Sequence, residues 1–325
     1  MVRIALDAMG GDRAPEETVA GAVAAAGRGV EVVLVGEEPA IRPLVEEHGL
    51  ELPVVHARQT IEMGEEPARA IREKKDASVV VAARMVKEKE AEGMVSAGST
   101  GAALAAASLI IGRIPGVHRP AIATILPTPG SPIVLLDSGA NPECRPEHLA
   151  QFGIMGTILA ETYLGLERPR IGLLSIGEER GKGRELERAT YALLEEAPID
   201  FIGQVEGRDL ATGKADVFVT DGFTGNVVLK TGEGTAQFII ELLGEAISSS
   251  GGLGEGAMGL GLKLKELEAR LDYESSGGGH LVGTRGVVVI AHGSSSRVAV
   301  GNALAMAADG AERGLVEKLS ARLHG

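Results

Sequence analysis

Apolar runs of strand length alternate with helix-length amphipathic stretches through most of the 325-residue chain. The pattern predicts strands at Arg3–Leu6, Glu31–Val35, Pro53–Val55, Gly93–Ser96, Ala121–Leu126, Ile133–Leu136, Arg170–Ser175, Asp200–Gln204, Val217–Thr220 and Val287–Ala291. Helices are expected at Pro15–Ala26, Pro39–His48, Ala77–Lys89, Thr100–Ile110, Pro146–Leu164, Arg184–Glu195, Thr224–Leu243 and Ser296–Ala308. Alternation of this kind builds βαβ units and a mostly parallel sheet. The expected fold is a three-layer α/β/α unit spanning residues 1–325.

One stretch breaks the rhythm. Residues 248–261 are rich in Ser and Gly and read as a flexible loop. It leads into Leu262–Leu271, where Leu264, Leu267 and Leu271 share one helical face beside basic residues. Residues 244–280 are therefore expected to form a flexible helical subregion. Two readings stay open for it: a linker and surface helix packed on the protein or a second subunit, or a mobile apolar element meeting acyl chains or a membrane face.

Glycine-containing turns stand where the predicted strands end. They are Asp7-Ala8-Met9-Gly10-Gly11-Asp12, Ser96-Ala97-Gly98-Ser99-Thr100-Gly101, the run Ile176–Gly183, Thr220-Asp221-Gly222-Phe223-Thr224-Gly225-Asn226, and Ala291-His292-Gly293-Ser294-Ser295. Turns at the carboxyl ends of parallel strands line one ligand crevice. Free N–H groups at helix starts favour anions. Together these turns predict a protein built around a phosphate-like anion.

Composition narrows the picture. Gly is 46 of 325 residues, about twice the usual ~7% share. Aromatic residues are 2% and Trp is absent, so the core must be built from Ala, Val, Leu and Ile. The net charge of −13 argues against nucleic acid and against broad attachment to anionic lipid. An acidic macromolecular partner would need a local basic patch. Arg113, His118 and Arg119, or Arg180, Lys182, Arg184 and Arg188, are candidates, with solvated surface charge the alternative.

The single cysteine, Cys144, fits a reducing compartment. A dyad with His148 is the sharper reading of it and a partly buried inert thiol the plainer one. Strand-like Ile4-Ala5-Leu6-Asp7 begins at once, so no signal peptide is expected. The apolar run near Ala102–Ile111 is too short for the ~20 residues a membrane span needs. A cytoplasmic protein is expected.

Familiar signatures fail on context. Gly254, Gly256 and Gly259 match a dinucleotide fingerprint by letter, but no strand precedes them. The Gly177–Gly183 run is one residue short of a P-loop and has Gly where Ser or Thr should bind Mg²⁺. No nucleophile elbow and no metal-ligand spacing of histidines is present. Asp7 and Asp12 either hold Mg²⁺, or orient backbone donors and cap the helix near Pro15. Thr224 is expected as a helix cap, with Asp221 and Asn226 reaching into the crevice. His292 is either a hydrogen-bond donor or a satisfied turn residue.

A lysine, aspartate, asparagine and histidine around an anion site, with no nucleophile triad, suit one chemistry. Phosphate itself can be the nucleophile, since its monoester analogue ionises near ~6. A thioester donor releases a thiol with a pKa near ~8.5, which leaves with little acid assistance. The protein then positions both partners and stabilises an oxyanion.

Taken in order, the turns and their flanks closely resemble the PlsX family of bacterial phosphate acyltransferases. The resemblance runs nearly end to end. It rests on Ala5–Asp12, Val95–Ala102, Arg119–Ala123, Leu135–Asn141, Arg145–Leu149, Gly172–Glu179 with Lys182-Gly183, Thr220–Asn226 and His292–Ser295. It implies transfer of a long acyl chain from acyl carrier protein to inorganic phosphate, giving acyl phosphate for phospholipid synthesis. It further implies a fold similar to phosphotransacetylases and isocitrate-dehydrogenase-like enzymes, and a homodimer. Peripheral contact with the inner membrane face and with a downstream acyl-phosphate:glycerol-3-phosphate acyltransferase is also implied. Departures are Ser99 and Ser175, where the family usually has Asn, and Gly277-Gly278-Gly279-His280, expected to loosen its loop.

On this reading Lys182, Asp221, Asn226 and His292 are the catalytic candidates. Asp7, Gly10, Gly11, Asp12, Ser99, Thr100, Asn141, Gly222, Thr224 and Ser294 would bind phosphate or substrate. Arg113, Arg119, Arg180 and Arg184 would dock the acidic carrier. No metal or organic cofactor is called for. The alternatives are a short-chain phosphotransacetylase using acyl-CoA and a non-catalytic regulator that binds phosphate or an acyl ligand.

Overall fold

The computed structural model describes residues 2–249, 263–265, 267 and 277–323. Of the flexible helical subregion expected at 244–280, residues 250–262, 266 and 268–276 therefore lie outside the described residues. An 11-stranded sheet runs through the molecule in the order β3-β2-β1-β4-β11-β10-β5-β6-β9-β7-β8. Its strands are β1 (Arg3–Asp7), β2 (Glu31–Gly36), β3 (Val54–His56), β4 (Gly93–Ser96), β5 (Ala121–Leu126), β6 (Ile133–Leu136), β7 (Arg170–Leu174), β8 (Asp200–Val205), β9 (Val217–Val219), β10 (Gly279–Val282) and β11 (Val287–Ile290).

The sheet is mostly parallel but its direction reverses in the middle. Strands β3, β2, β1, β4 and β11 are mutually parallel. So are β6, β9, β7 and β8. Between the blocks, β10 is antiparallel to β11 and β5, and β5 is antiparallel to β6. The two blocks therefore run in opposite senses, and their carboxyl ends leave the sheet in opposite directions. This corrects the expectation that every glycine turn lines one crevice.

Helices cover both faces, as the three-layer expectation required. Helices α1 (Glu16–Ala26), α2 (Glu38–Glu47) and α9 (Arg297–Glu312) bury Val19, Ala22, Ile41, Val300 and Leu304 against Ile4, Leu6 and Leu34. On the opposite face, α3 (Pro67–Glu73), α4 (Ser78–Lys87) and α5 (Thr100–Ala106) pack on Ala5, Val33 and Val35. Period-2 alternation along β1 sends neighbouring side chains to these two cores. Helices α6 (Pro146–Leu159), α7 (Glu185–Glu196) and α10 (Leu315–Leu323) cover the second block around Phe152 and Leu173. Helix α8 (Gly222–Ser249) covers its other face, placing Leu229 over Leu135 and Phe218. The core is aliphatic, as the composition demanded.

Pattern reading missed α3, α10 and β10. It expected a loose loop at Gly277–Gly279, but the structure packs these residues tightly. An added Cβ would lie 2.4 Å from Ala303 N at Gly277 and 2.4 Å from Ile290 O at Gly278. His280 follows, buried within β10. No helix of the described residues is long and apolar enough to cross a membrane.

Candidate active site

The turns gather into two groups. In the first, the β1, β4 and β11 turns meet. Asp12 N donates to Gly293 O at 2.8 Å, and a Cβ on Gly10 would lie 2.9 Å from Gly98 N. Gly11 takes φ +124°, which suits only glycine, and it faces Gly293 O and Ala97. Buried Asp7 accepts from Ser96 Oγ at 2.7 Å, and Ser96 Oγ in turn accepts from Gly98 N at 3.2 Å. Burial pushes the Asp7 carboxyl up, against hydrogen bonds from Ser78, Ser96, Met9 and Gly10. Asp7 thus orients the turn from within. Asp12 is exposed and does not cap α1, whose N-cap is Pro15 with no side-chain hydrogen bond. Ser99 caps α5 through Ala102 N at 3.4 Å, so this departure keeps a working cap. The exposed Ser294 contributes its backbone oxygen to Arg13.

The second group is built on Asp137, which the sequence reading had not singled out as a site residue. Its Oδ1 accepts from Ile122 N at 3.1 Å, Gly139 N at 3.1 Å and Ala140 N at 2.9 Å. Its Oδ2 accepts from Asn141 N and Asn141 Nδ2, each at 2.8 Å. Burial pushes this carboxyl up while the donors pull it down. Asn141 Nδ2 also donates to Pro120 O at 2.8 Å. Both amide hydrogens of Asn141 are therefore engaged inside the protein, which removes them from the expected ligand role. Gly222 N donates to Asn141 O at 2.8 Å, seating the start of α8 on this loop.

Asp221, not Thr224, caps α8. Its Oδ1 accepts from Thr224 N and its Oδ2 from Thr224 Oγ1, both at 2.9 Å, while Arg184 bonds the same Oδ2. Burial pushes Asp221 up, but the Thr224 N–H and the Arg184 guanidinium hold it below the usual carboxylate range. These partners use the carboxylate that was expected to face a ligand. Arg184, exposed at the surface, also pairs with Glu187, so its charge is shared between two carboxylates. Lys182 is exposed on the β7 loop, its backbone oxygen held by Gln204 Nε2 at 3.0 Å. The buried Ser175 Oγ has no hydrogen-bond partner among the described residues.

Between the groups lies a cavity of about 260 Å³, where the sheet changes direction at β10 and β5. Thr100, Ile122, Thr124, Ser138, Gly139, Asn226, Leu229, Glu233, Gly278 and His292 are among its lining residues. Thr124 Oγ1 and Ser138 Oγ are 2.7 Å apart, and Ser138 Oγ lies 3.0 Å from Ile122 O. The structure thus brings Thr100, Asn226 and His292 together and leaves Lys182 and Asp221 off the wall. Lys230 Nζ stands 3.2 Å from His292 Nε2 and 2.8 Å from Glu233 Oε2. Burial and then the Lys230 charge hold the His292 pKa below its ordinary value, against Glu233. Sequence reading missed Thr124, Ser138, Lys230 and Glu233. The signal available was the spacing of Asn226, Lys230 and Glu233, which places them on one face of α8.

Cys144 is inert in this setting. Burial and the Asp137 charge push its thiol up to about 12, and His148 Nδ1 accepts from Arg145 N at 3.2 Å instead. Of the basic candidates, exposed Arg113 lines a groove with His118, Arg145, Glu147 and His148, and the charge of exposed Arg119 reaches His148. Arg180 pairs with Glu195 at 2.8 Å and stacks on Tyr191.

A model of the family described as fatty acid synthesis protein matches residues 2–318. A phosphate acyltransferase from Desulfitobacterium hafniense strain Y51 is 48% identical over 99% of this chain and 98% of its own. One from Heliobacterium modesticaldum is 48% identical over 100% and 98%. Among solved structures, a phosphotransacetylase from Streptococcus pyogenes aligns with a TM-score of 0.64 at 17% identity, covering 96% of this chain and 94% of that one. A branched-chain phosphotransacylase from Enterococcus faecalis V583 gives 0.58 at 17%, covering 96% and 99%. These structural likenesses concern the fold, which is the phosphotransacetylase-like architecture expected from sequence.

Proposed function

This chain belongs to the fatty acid synthesis protein family, and from that membership we propose how it carries out acyl transfer to phosphate. It is an acyltransferase, and its reaction joins an activated acyl group to phosphate for phospholipid synthesis. The acyl donor in this reading is a long-chain thioester of acyl carrier protein. A phosphate oxygen attacks the carbonyl carbon, the C–O bond forms and the C–S bond breaks. Acyl phosphate and the carrier thiol leave, with the phosphate proton passing to the thiol.

The observation that carries this reading is the cavity where the two strand blocks meet. While the Ser138 hydroxyl donates to Ile122 O and the Thr124 hydroxyl to Ser138, it offers a helix start at Thr100, the Asn226 amide and His292 around one small volume. Such preorganised donors stabilise an oxyanion without rearranging during the reaction. Asn226 and His292 contact the reacting groups in this reading, while Asp7, Asp221 and Asn141 hold the turns that position them. Arg113 and Arg119 receive the acidic carrier. Exposed Phe238, Ile239, Leu242 and Leu243 on α8 supply the surface for a second copy and for membrane contact.

Incubation with palmitoyl–acyl carrier protein and inorganic phosphate, with acyl phosphate trapped as the hydroxamate, tests the proposal. Phosphate-dependent product that is lost in Asn226→Ala is expected. Turnover of acetyl-CoA alone would make the protein a short-chain phosphotransacetylase. No turnover of either donor would leave a binding protein.

A further inference from the structure

The cavity that would receive a phosphate dianion carries a carboxylate on its own wall, Glu233. Two such anions repel at contact unless a cation stands between them. Lys230 is placed to be that cation. Its ammonium lies 2.8 Å from Glu233 Oε2 and 3.3 and 3.2 Å from the two ring nitrogens of His292. Glu233 and His292 both line the cavity. Lys230 is one helical turn beyond Asn226, which lines it too. Its side chain is 46% exposed, so the head can move without breaking a packed core.

We propose that Lys230 is the phosphate-binding cation of this site, kept in place by Glu233 and handed over to phosphate when it arrives. This rests on the reading of the cavity as a phosphate site and names the group that binds the anion there. Glu233 Oε1 already lies 3.9 Å from His292 Nε2. Released from Lys230, the carboxylate turns to the imidazole and supports its protonated form. His292 then takes the proton of the attacking phosphate and passes it to the departing thiolate. One proton leaves phosphate and one arrives on sulfur, so the exchange balances. This assigns the cationic role first expected of Lys182 to a residue next to the cavity wall.

The test measures binding and turnover separately on the full chain. Inorganic phosphate is titrated calorimetrically without any acyl donor, so the result stands even if acyl transfer to phosphate is not observed. Charge-assisted hydrogen bonds of about 1.5–3 kcal/mol predict that Lys230→Met weakens phosphate about 10- to 100-fold. The KM for phosphate should rise in step, while the KM for the acyl donor stays put. Lys230→Arg should restore most of the affinity, and Glu233→Gln should tighten binding by removing the internal competitor. Unchanged phosphate affinity in Lys230→Met, or equal loss in Lys230→Arg, overturns the assignment. Weaker binding in Glu233→Gln overturns the hand-over.

Discussion

At Asp137 a single buried carboxylate ties together the start of β5, the Gly139–Asn141 turn and, through Asn141, the start of α8. Every one of its contacts is a donor, so the site wants two acceptor oxygens. Asp137→Asn keeps the shape but turns one oxygen into a donor. At least one N–H then loses its acceptor, at a cost of about 1–3 kcal/mol. Thermal unfolding should shift down by several degrees. If the Asn variant melts with the wild type, the fold does not depend on two acceptor oxygens at this position. The same network explains which residue roles sequence could not give. The order Asp137, Asn141 and Asp221 is plain in the chain, but nothing there says their polar atoms face one another instead of a ligand. Asn226 and His292 do line the cavity, Asn226 from the first turn of α8 and His292 from the turn after β11, which is the part of the sequence expectation the geometry bears on.

Helix α8 shows how one element can depend on a missing side chain. A Cβ on Gly225 would lie 1.9 Å from Asp137 O, so the first turn sits directly on that backbone. Gly232, two turns on, has nothing within 4 Å of its added Cβ. Gly225→Ala should therefore lose 1–3 kcal/mol or more, about the cost of overpacking, and lose activity as Asn226 shifts. Gly232→Ala should gain about 0.5–1 kcal/mol, the usual penalty of glycine inside a helix. Paired thermal melts check both, and a Gly225→Ala protein as stable as wild type would deny this seating. Elements of clear period, such as α1 and β7, were legible to within a residue or two. Strand β10 was not, because three glycines in a row read as a loop when their packing partners are distant in sequence. The reversal of direction did leave a trace: six residues, 127–132, join β5 to β6, too few for a parallel crossover.

The whole molecule is acidic, with a net charge of −13, yet it would have to receive an acidic carrier. Long-range attraction cannot bring the two together, so a local positive face must do so. The groove lined by Arg113, His118, Arg145, Glu147 and His148 is the face we propose for it. Arg119 belongs to it electrostatically, since its charge, after burial, helps hold the His148 pKa down. Arg180 and Arg184 are engaged with Glu195, Glu187 and Asp221 and have less charge to offer. This division was not readable from sequence, where all four arginines carry the same formal charge. Exposed charges contribute about 0.2–1 kcal/mol each. Arg113→Ala combined with Arg119→Ala should then raise the KM for acyl carrier protein about two- to thirtyfold at low salt. The KM for phosphate should hold. Because screening shortens such attraction to about 8 Å at physiological ionic strength, the double variant and the wild type should converge as salt is raised. An unchanged carrier KM at low salt would move the docking face elsewhere, and Arg180 would be the next arginine to replace.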